Sequence, residues 1–226
     1  MANKDVLKLL AGFRRFRERY FLQTNSLYSR LSVRGQSPKT LIIACSDSRV
    51  DPAIITSADP GELFVVRNVA NLVPPFETSD GFHGVSSAIE FAVVNLKVDN
   101  IIILGHRQCG GIRSLMLETE ANRQKGFVSS WMQIASDAKE RVLLRAKTEP
   151  MDEEALCRCG EMEAIKTSVR NLRTFPFVVE AVRDRGLNLL GIYFDLENGD
   201  ICEWNESDDK FDMIDLKRWH GDVVPG

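Results

Sequence analysis

The sequence has no stretch near the roughly 18 uninterrupted apolar residues that a membrane-spanning helix requires. No secretory leader is expected, because Lys4, Asp5 and Lys8 interrupt residues 1–10. Five cysteines, odd in number and unevenly spaced, do not make a disulfide framework. They read instead as thiols of a reducing compartment, metal ligands or core residues, and the expected location is the cytoplasm. An excess of positive charge is also missing: the formal net charge is −3, which speaks against a nucleic-acid partner. Lys4, Lys8, Arg14, Arg15, Arg17, Arg19, Arg30 and Arg34 do cluster. Acidic and polar residues interrupt the cluster, so a solvated helix face fits better than a membrane-surface helix. There is no internal repeat, low-complexity tract or dividing linker. The dinucleotide loop G-x-G-x-x-G, the Walker sequence and the G-x-S-x-G elbow are absent as well.

What is present suits a globular chain, with 44% hydrophobic and 27% charged residues. Its 226 residues fit one domain, 1–226, with 1–36 as an N-terminal helical arm. Val6, Leu9, Leu10, Phe13, Phe16 and Tyr20 recur at helical spacing. Thr40-Leu41-Ile42-Ile43-Ala44-Cys45 reads as a buried strand. Further strands are expected at 62–66, after the turn Asp59-Pro60-Gly61, at 101–105 and at 188–194, with 200–204 pairing beside the last. Helical spacing marks 84–96, and 127–175 is largely helical with a break near Pro150. Strands alternating with helices predict an α/β fold with a mostly parallel sheet.

Two strands end in reactive residues, Cys45-Ser46-Asp47-Ser48-Arg49 and Gly105-His106-Arg107-Gln108-Cys109-Gly110-Gly111. Ligands of open parallel sheets bind outside the carboxyl ends of the strands, so both clusters should face one crevice. Two thiolates and an imidazole are donors that zinc prefers, and three protein ligands leave the fourth tetrahedral position open. Cys45, His106 and Cys109 are therefore the candidate zinc ligands, and Gly110 and Gly111 are expected to let backbone approach closely. Cys157 and Cys159, two apart in a helix, point to different faces and make poor joint ligands. Cys202 is expected to pack in a strand, His83 to serve a loop or helix cap rather than relay protons, and His220 to be solvated.

The chain resembles the β-class carbonic anhydrases, nearest their plant-like branch. The resemblance rests on Cys45-Ser46-Asp47-Ser48-Arg49-Val50-Asp51-Pro52, on the run from Pro60-Gly61 to Val65-Val66-Arg67-Asn68-Val69-Ala70-Asn71, and on Gly105-His106 with Cys109-Gly110-Gly111. Asn171-Leu172-Arg173-Thr174-Phe175-Pro176 and Gly191-Ile192-Tyr193-Phe194-Asp195 extend it over about residues 38–204. It implies a small mostly parallel sheet with an antiparallel edge strand, flanked by helices. The N-terminal arm would then pack on a partner subunit, in a homodimer or a higher multiple of dimers. The Trp that accompanies an inhibitory bicarbonate site in some members is Ile42 here, which puts that regulation in doubt. The Gln that often precedes the Pro-Gly turn in plant-like members is Asp59.

The implied reaction is the reversible hydration of carbon dioxide to bicarbonate and a proton, with one zinc per subunit. Zinc lowers the pKa of its water from about 15.7 toward 7, which makes hydroxide available at neutral pH. Asp47, able only to accept a hydrogen bond when ionised, would orient that hydroxide. Arg49 would keep Asp47 charged. Asp47 could instead swing onto the metal as a fourth ligand and close the site. Two rivals stay open: hydrolysis of a similar linear molecule such as carbonyl sulfide or carbon disulfide, and a non-catalytic protein stabilised by zinc.

Overall fold

The computed structural model describes residues 3–22, 27–79, 81–119 and 125–219. At its centre the β-branched run Thr40–Cys45 forms strand β1, buried on both faces as strands sandwiched between helices are. Leu63–Asn68 (β2) and Asn100–His106 (β3) flank β1, both parallel to it. Asn188–Phe194 (β4) continues the parallel order beside β3. Ile201–Asn205 (β5) and Lys210–Met213 (β6) then pair antiparallel, completing a six-stranded sheet ordered β2-β1-β3-β4-β5-β6. The α/β fold with its mostly parallel sheet is as expected, but the antiparallel edge holds two strands. Lys-Phe-Asp-Met is too short and too polar to announce β6, whose Phe211 ring packs edge-on against Tyr193.

Helices cover this sheet. In chain order they are Lys4–Phe21 (α1), Leu27–Arg34 (α2), Pro52–Thr56 (α3) and Gly84–Glu90 (α4), which widens into a π-helical turn at Phe91–Leu96. Gly110–Met116 (α5), Phe127–Met132 (α6), Ser136–Ala146 (α7), Glu153–Leu172 (α8) and Pro176–Arg185 (α9) follow. The break expected near Pro150 separates α7 from α8, whose first turn is capped by Asp152 accepting from the Ala155 amide at 2.8 Å.

The core forms where α8 meets the sheet. Ile165, Val169 and Leu172 pack with Leu41, Ile43, Ile101 and Ile103. Each such aliphatic burial contributes about 1.5–3 kcal/mol before entropy is counted. Gly105 permits the approach, since a Cβ there would lie 2.5 Å from Ile165 Cδ1. Of the two glycines expected near the site, only Gly111 is tightly packed: its Cβ would meet Val69 Cγ1 at 2.9 Å, whereas Gly110 faces open space.

Helix α1 buries none of its residues, and Val6, Leu9, Leu10 and Phe13 are exposed. An aromatic cluster ties it to α2, with Tyr28 centroids 5.2 Å from Phe16 and 5.0 Å from Phe21.

Candidate metal centre

Cys45 is the last residue of β1 and His106 the last of β3, so parallel pairing of the two strands sets their ends side by side. Cys109 follows by one turn and occupies the N-cap position of α5. The two sulfurs and a ring nitrogen of His106 lie within 4.8 Å of one another, and all three residues are buried. The sulfurs are 4.0 Å apart.

His106 Nδ1 lies 2.8 Å from the Arg107 carbonyl, which can only accept, so Nδ1 carries the proton. Nε2 is left with a lone pair. It is buried and has no hydrogen-bond partner among the described residues. A buried unpaired nitrogen beside two thiols is costly unless something bonds it, and a soft divalent cation such as zinc does so with this donor set. Without a metal the two thiols oppose each other. The Cys109 hydrogen bond draws the Cys45 pKa down, and the same contact with Cys45, together with burial, pushes Cys109 up.

The rim is built from the loop after β1. Asp47 Oδ1 accepts from the Arg49 amide and Nε, each at 2.9 Å, and Oδ2 accepts from Arg49 Nη2 at 2.7 Å. Arg49 thereby holds the Asp47 carboxyl well below the usual carboxylate range. Asp47 is not one of the three gathered ligands; its own amide points at Cys45 Sγ, 3.4 Å away. Arg49 also donates to the Gln108 carbonyl at 3.2 Å, bridging the two strand-end loops.

Several residues that sequence reasoning did not single out shape the site. Arg67 of β2 donates to the carbonyls of Cys45 (3.0 Å) and Asp47 (2.6 Å) and to the Asp51 carboxylate (3.0 Å), fixing the whole loop. Arg107 is clasped by Glu154, Asp195 and Glu197, which anchors the carbonyl that orients His106. Glu161 of α8, 4% exposed, accepts from the Cys109 amide and from the Tyr193 hydroxyl, each at 2.9 Å. Burial pushes the Glu161 carboxyl up, while those hydrogen bonds pull the other way. Arg67 and Tyr193 lay within the stretches that carry the family resemblance. Glu161 left a fainter signal, a charge four residues after the buried Cys157 on one helix face.

The remaining candidates lie apart. Cys157 and Cys159 sit on α8 and Cys202 on β5, and none joins the cluster. His83 precedes α4 without capping it through its side chain; its ring contacts the Ser79 carbonyl at 3.0 Å. His220 lies outside the described residues.

Against known proteins, a family model described as carbonic anhydrase matches residues 40–201. Beta carbonic anhydrase 3 of Arabidopsis thaliana is 35% identical over 201 residues, 88% of this chain and 76% of that one. The solved β-carbonic anhydrase CcaA superposes with a TM-score of 0.85 at 32% identity, covering 94% of this chain and 93% of its own. A structure from Sordaria macrospora, described among two tetrameric β-carbonic anhydrases, gives 0.70 at 29% identity, covering 88% and 93%. The chain belongs to the β-carbonic anhydrase family.

Proposed function

We propose that this protein is a zinc-dependent carbonate dehydratase, hydrating carbon dioxide reversibly to bicarbonate and a proton. The observation that carries the reading is the convergence of Cys45, His106 and Cys109, with His106 Nε2 buried and unpartnered beside the two sulfurs. These three would hold one zinc per subunit, which would act as a Lewis acid and bring the pKa of a water toward 7.

The chain's own residues divide the remaining work. Asp47 accepts a hydrogen bond from the attacking oxygen and turns that oxygen's lone pair toward carbon dioxide. Arg49 keeps Asp47 ionised and oriented. Arg67 holds the loop on which both stand. A closed, four-ligand site would need Asp47 as a ligand, yet its two oxygens already take three hydrogen bonds from Arg49. That pairing supports the open, catalytic reading over a purely structural zinc.

We take residues 1–226 as one domain, with 1–36 as an arm whose exposed apolar face packs on a second copy in a homodimer or a multiple of dimers. The support is the unburied face of α1 and the tetrameric relative. No helix among the described residues is long and apolar enough to cross a membrane, and all five cysteines are free, which suits a cytoplasmic location.

Stopped-flow hydration of carbon dioxide, with zinc quantified in the same sample, tests the function. Activity should disappear when a chelator strips the metal and return when zinc is restored. A protein that carries zinc but hydrates no faster than buffer, or that releases sulfide from carbonyl sulfide and leaves carbon dioxide untouched, would overturn the assignment.

A further inference from the structure

Glu161 stands apart from the rim residues. It comes from α8 on the inner side of the site and touches neither Asp47 nor Arg49 in any hydrogen bond among the described residues. Its carboxylate meets two protein donors, the Cys109 amide and the Tyr193 hydroxyl, and both oxygens are thereby used. All three residues are buried, with Tyr193 and Cys109 each 1% exposed.

The backbone it grips is unusual. Gln108, immediately before Cys109, has φ 59°, in the left-handed region that a side chain other than glycine adopts at a cost. Such a conformation persists only where neighbours over-determine it. The Gln108–Cys109 peptide carries the amide that Glu161 holds, so the hydrogen bond fixes the plane of that peptide. With Cys109 at φ −70°, the fixed plane sets the direction of the Cys109 Cα–Cβ bond and so helps place Sγ relative to Cys45 and His106. Without the acceptor the peptide is free to relax to an ordinary conformation and carry the sulfur away.

We propose that Glu161, braced by Tyr193, is a positioning residue that pins the Cys109 main chain so that its sulfur meets the metal. The inference rests on the reading that Cys45, His106 and Cys109 hold zinc. It assigns a hydrogen-bonding task, separate from any contact with carbon dioxide.

The test is chelator competition on the zinc-loaded full-length protein, with the melting temperature of each metal-free form measured alongside. Glu161→Met removes the acceptor at similar volume and should weaken zinc binding about 10- to 100-fold, the range for partners that orient a metal ligand. Glu161→Gln should stay within a few-fold of wild type, because its amide oxygen can still accept from Cys109 and its NH2 can donate to Tyr193 Oη. Tyr193→Phe keeps the carboxylate but removes its brace, and should give an intermediate loss. Cobalt-substituted samples should show weakened thiolate-to-cobalt absorption in the Met variant and a wild-type spectrum in the Gln variant.

Wild-type affinity in the Met variant overturns the proposal. So does an equal loss in the Gln and Met variants, since charge rather than the hydrogen bond would then be responsible. If the Met variant does not fold, unchanged affinity in Tyr193→Phe overturns it. A wild-type protein that binds no zinc sinks the underlying metal reading instead, which separates the two failures.

Discussion

Asp47 receives three hydrogen bonds from one arginine, and its working charge follows from that geometry. The sign is that of a carboxylate with a depressed folded pKa: it is ionised across the neutral range and protonates only as pH falls far below the usual carboxylate value of about 3.9. Asp47 should therefore contribute no step to the pH profile of hydration between pH 6 and 9. Asp47→Ala should retain zinc while hydration drops about 100-fold or more, as loss of a group that orients the attacking atom does. Metal analysis beside stopped-flow rates checks this, and full activity would remove Asp47 from the mechanism.

At the scale of elements, the site depends on how closely α8 lies against β3 and β4. A Cβ at Gly105 would sit 2.5 Å from Ile165 Cδ1 and 2.6 Å from Cγ1, so the helix or the side chain must shift. Gly105→Ala is expected to cost about 1–3 kcal/mol, read as a lower urea midpoint. Adding Ile165→Val, which deletes Cδ1, should recover part of the loss. A second tie holds the antiparallel edge to α8. Asp209 Oδ1 accepts from Trp204 Nε1 and pairs with Lys166 Nζ, each at 3.0 Å. Burial raises the Asp209 pKa, but the Lys166 and Trp204 hydrogen bonds outweigh it and depress the value overall. Its contribution is thus present above the ordinary carboxylate range and lost as pH falls through the folded pKa. Asp209→Asn, which tolerates the left-handed φ of 56°, should cost roughly 1 kcal/mol at pH 7, since the pair is partly exposed. The difference from wild type should shrink in denaturation curves as pH falls below the ordinary carboxylate range and through the depressed folded pKa.

For the whole molecule, the open question is what covers α1. Val6, Leu9, Leu10 and Phe13 lie 45–73% exposed, more apolar surface in one stripe than a solvated helix needs. Removing residues 1–36 should shift light-scattering mass after gel filtration toward a smaller assembly. An unchanged mass would mean that the arm covers no partner. The truncated chain still contains Cys45, His106 and Cys109, so its zinc content separates loss of assembly from loss of the metal centre.

Much of this was legible in the residues themselves. The strand Thr40–Cys45 and the strand Asn188–Phe194 match their expected bounds, because apolar, β-branched runs bounded by polar turns have few other uses. The strand-end cysteines and histidine announced a metal centre, because donor type and spacing are properties of the chain. Lys210–Met213 was not legible, since a four-residue polar strand exists only through pairing with its neighbour. Nor was Glu161: its grip on the Cys109 amide spans 52 residues and arises only once α8 lies along the sheet. The sequence alone thus determined which side chains can bind zinc and where strands end. Tertiary structure decided which groups hold those ligands in place, because hydrogen-bond partners distant in the chain are chosen by packing.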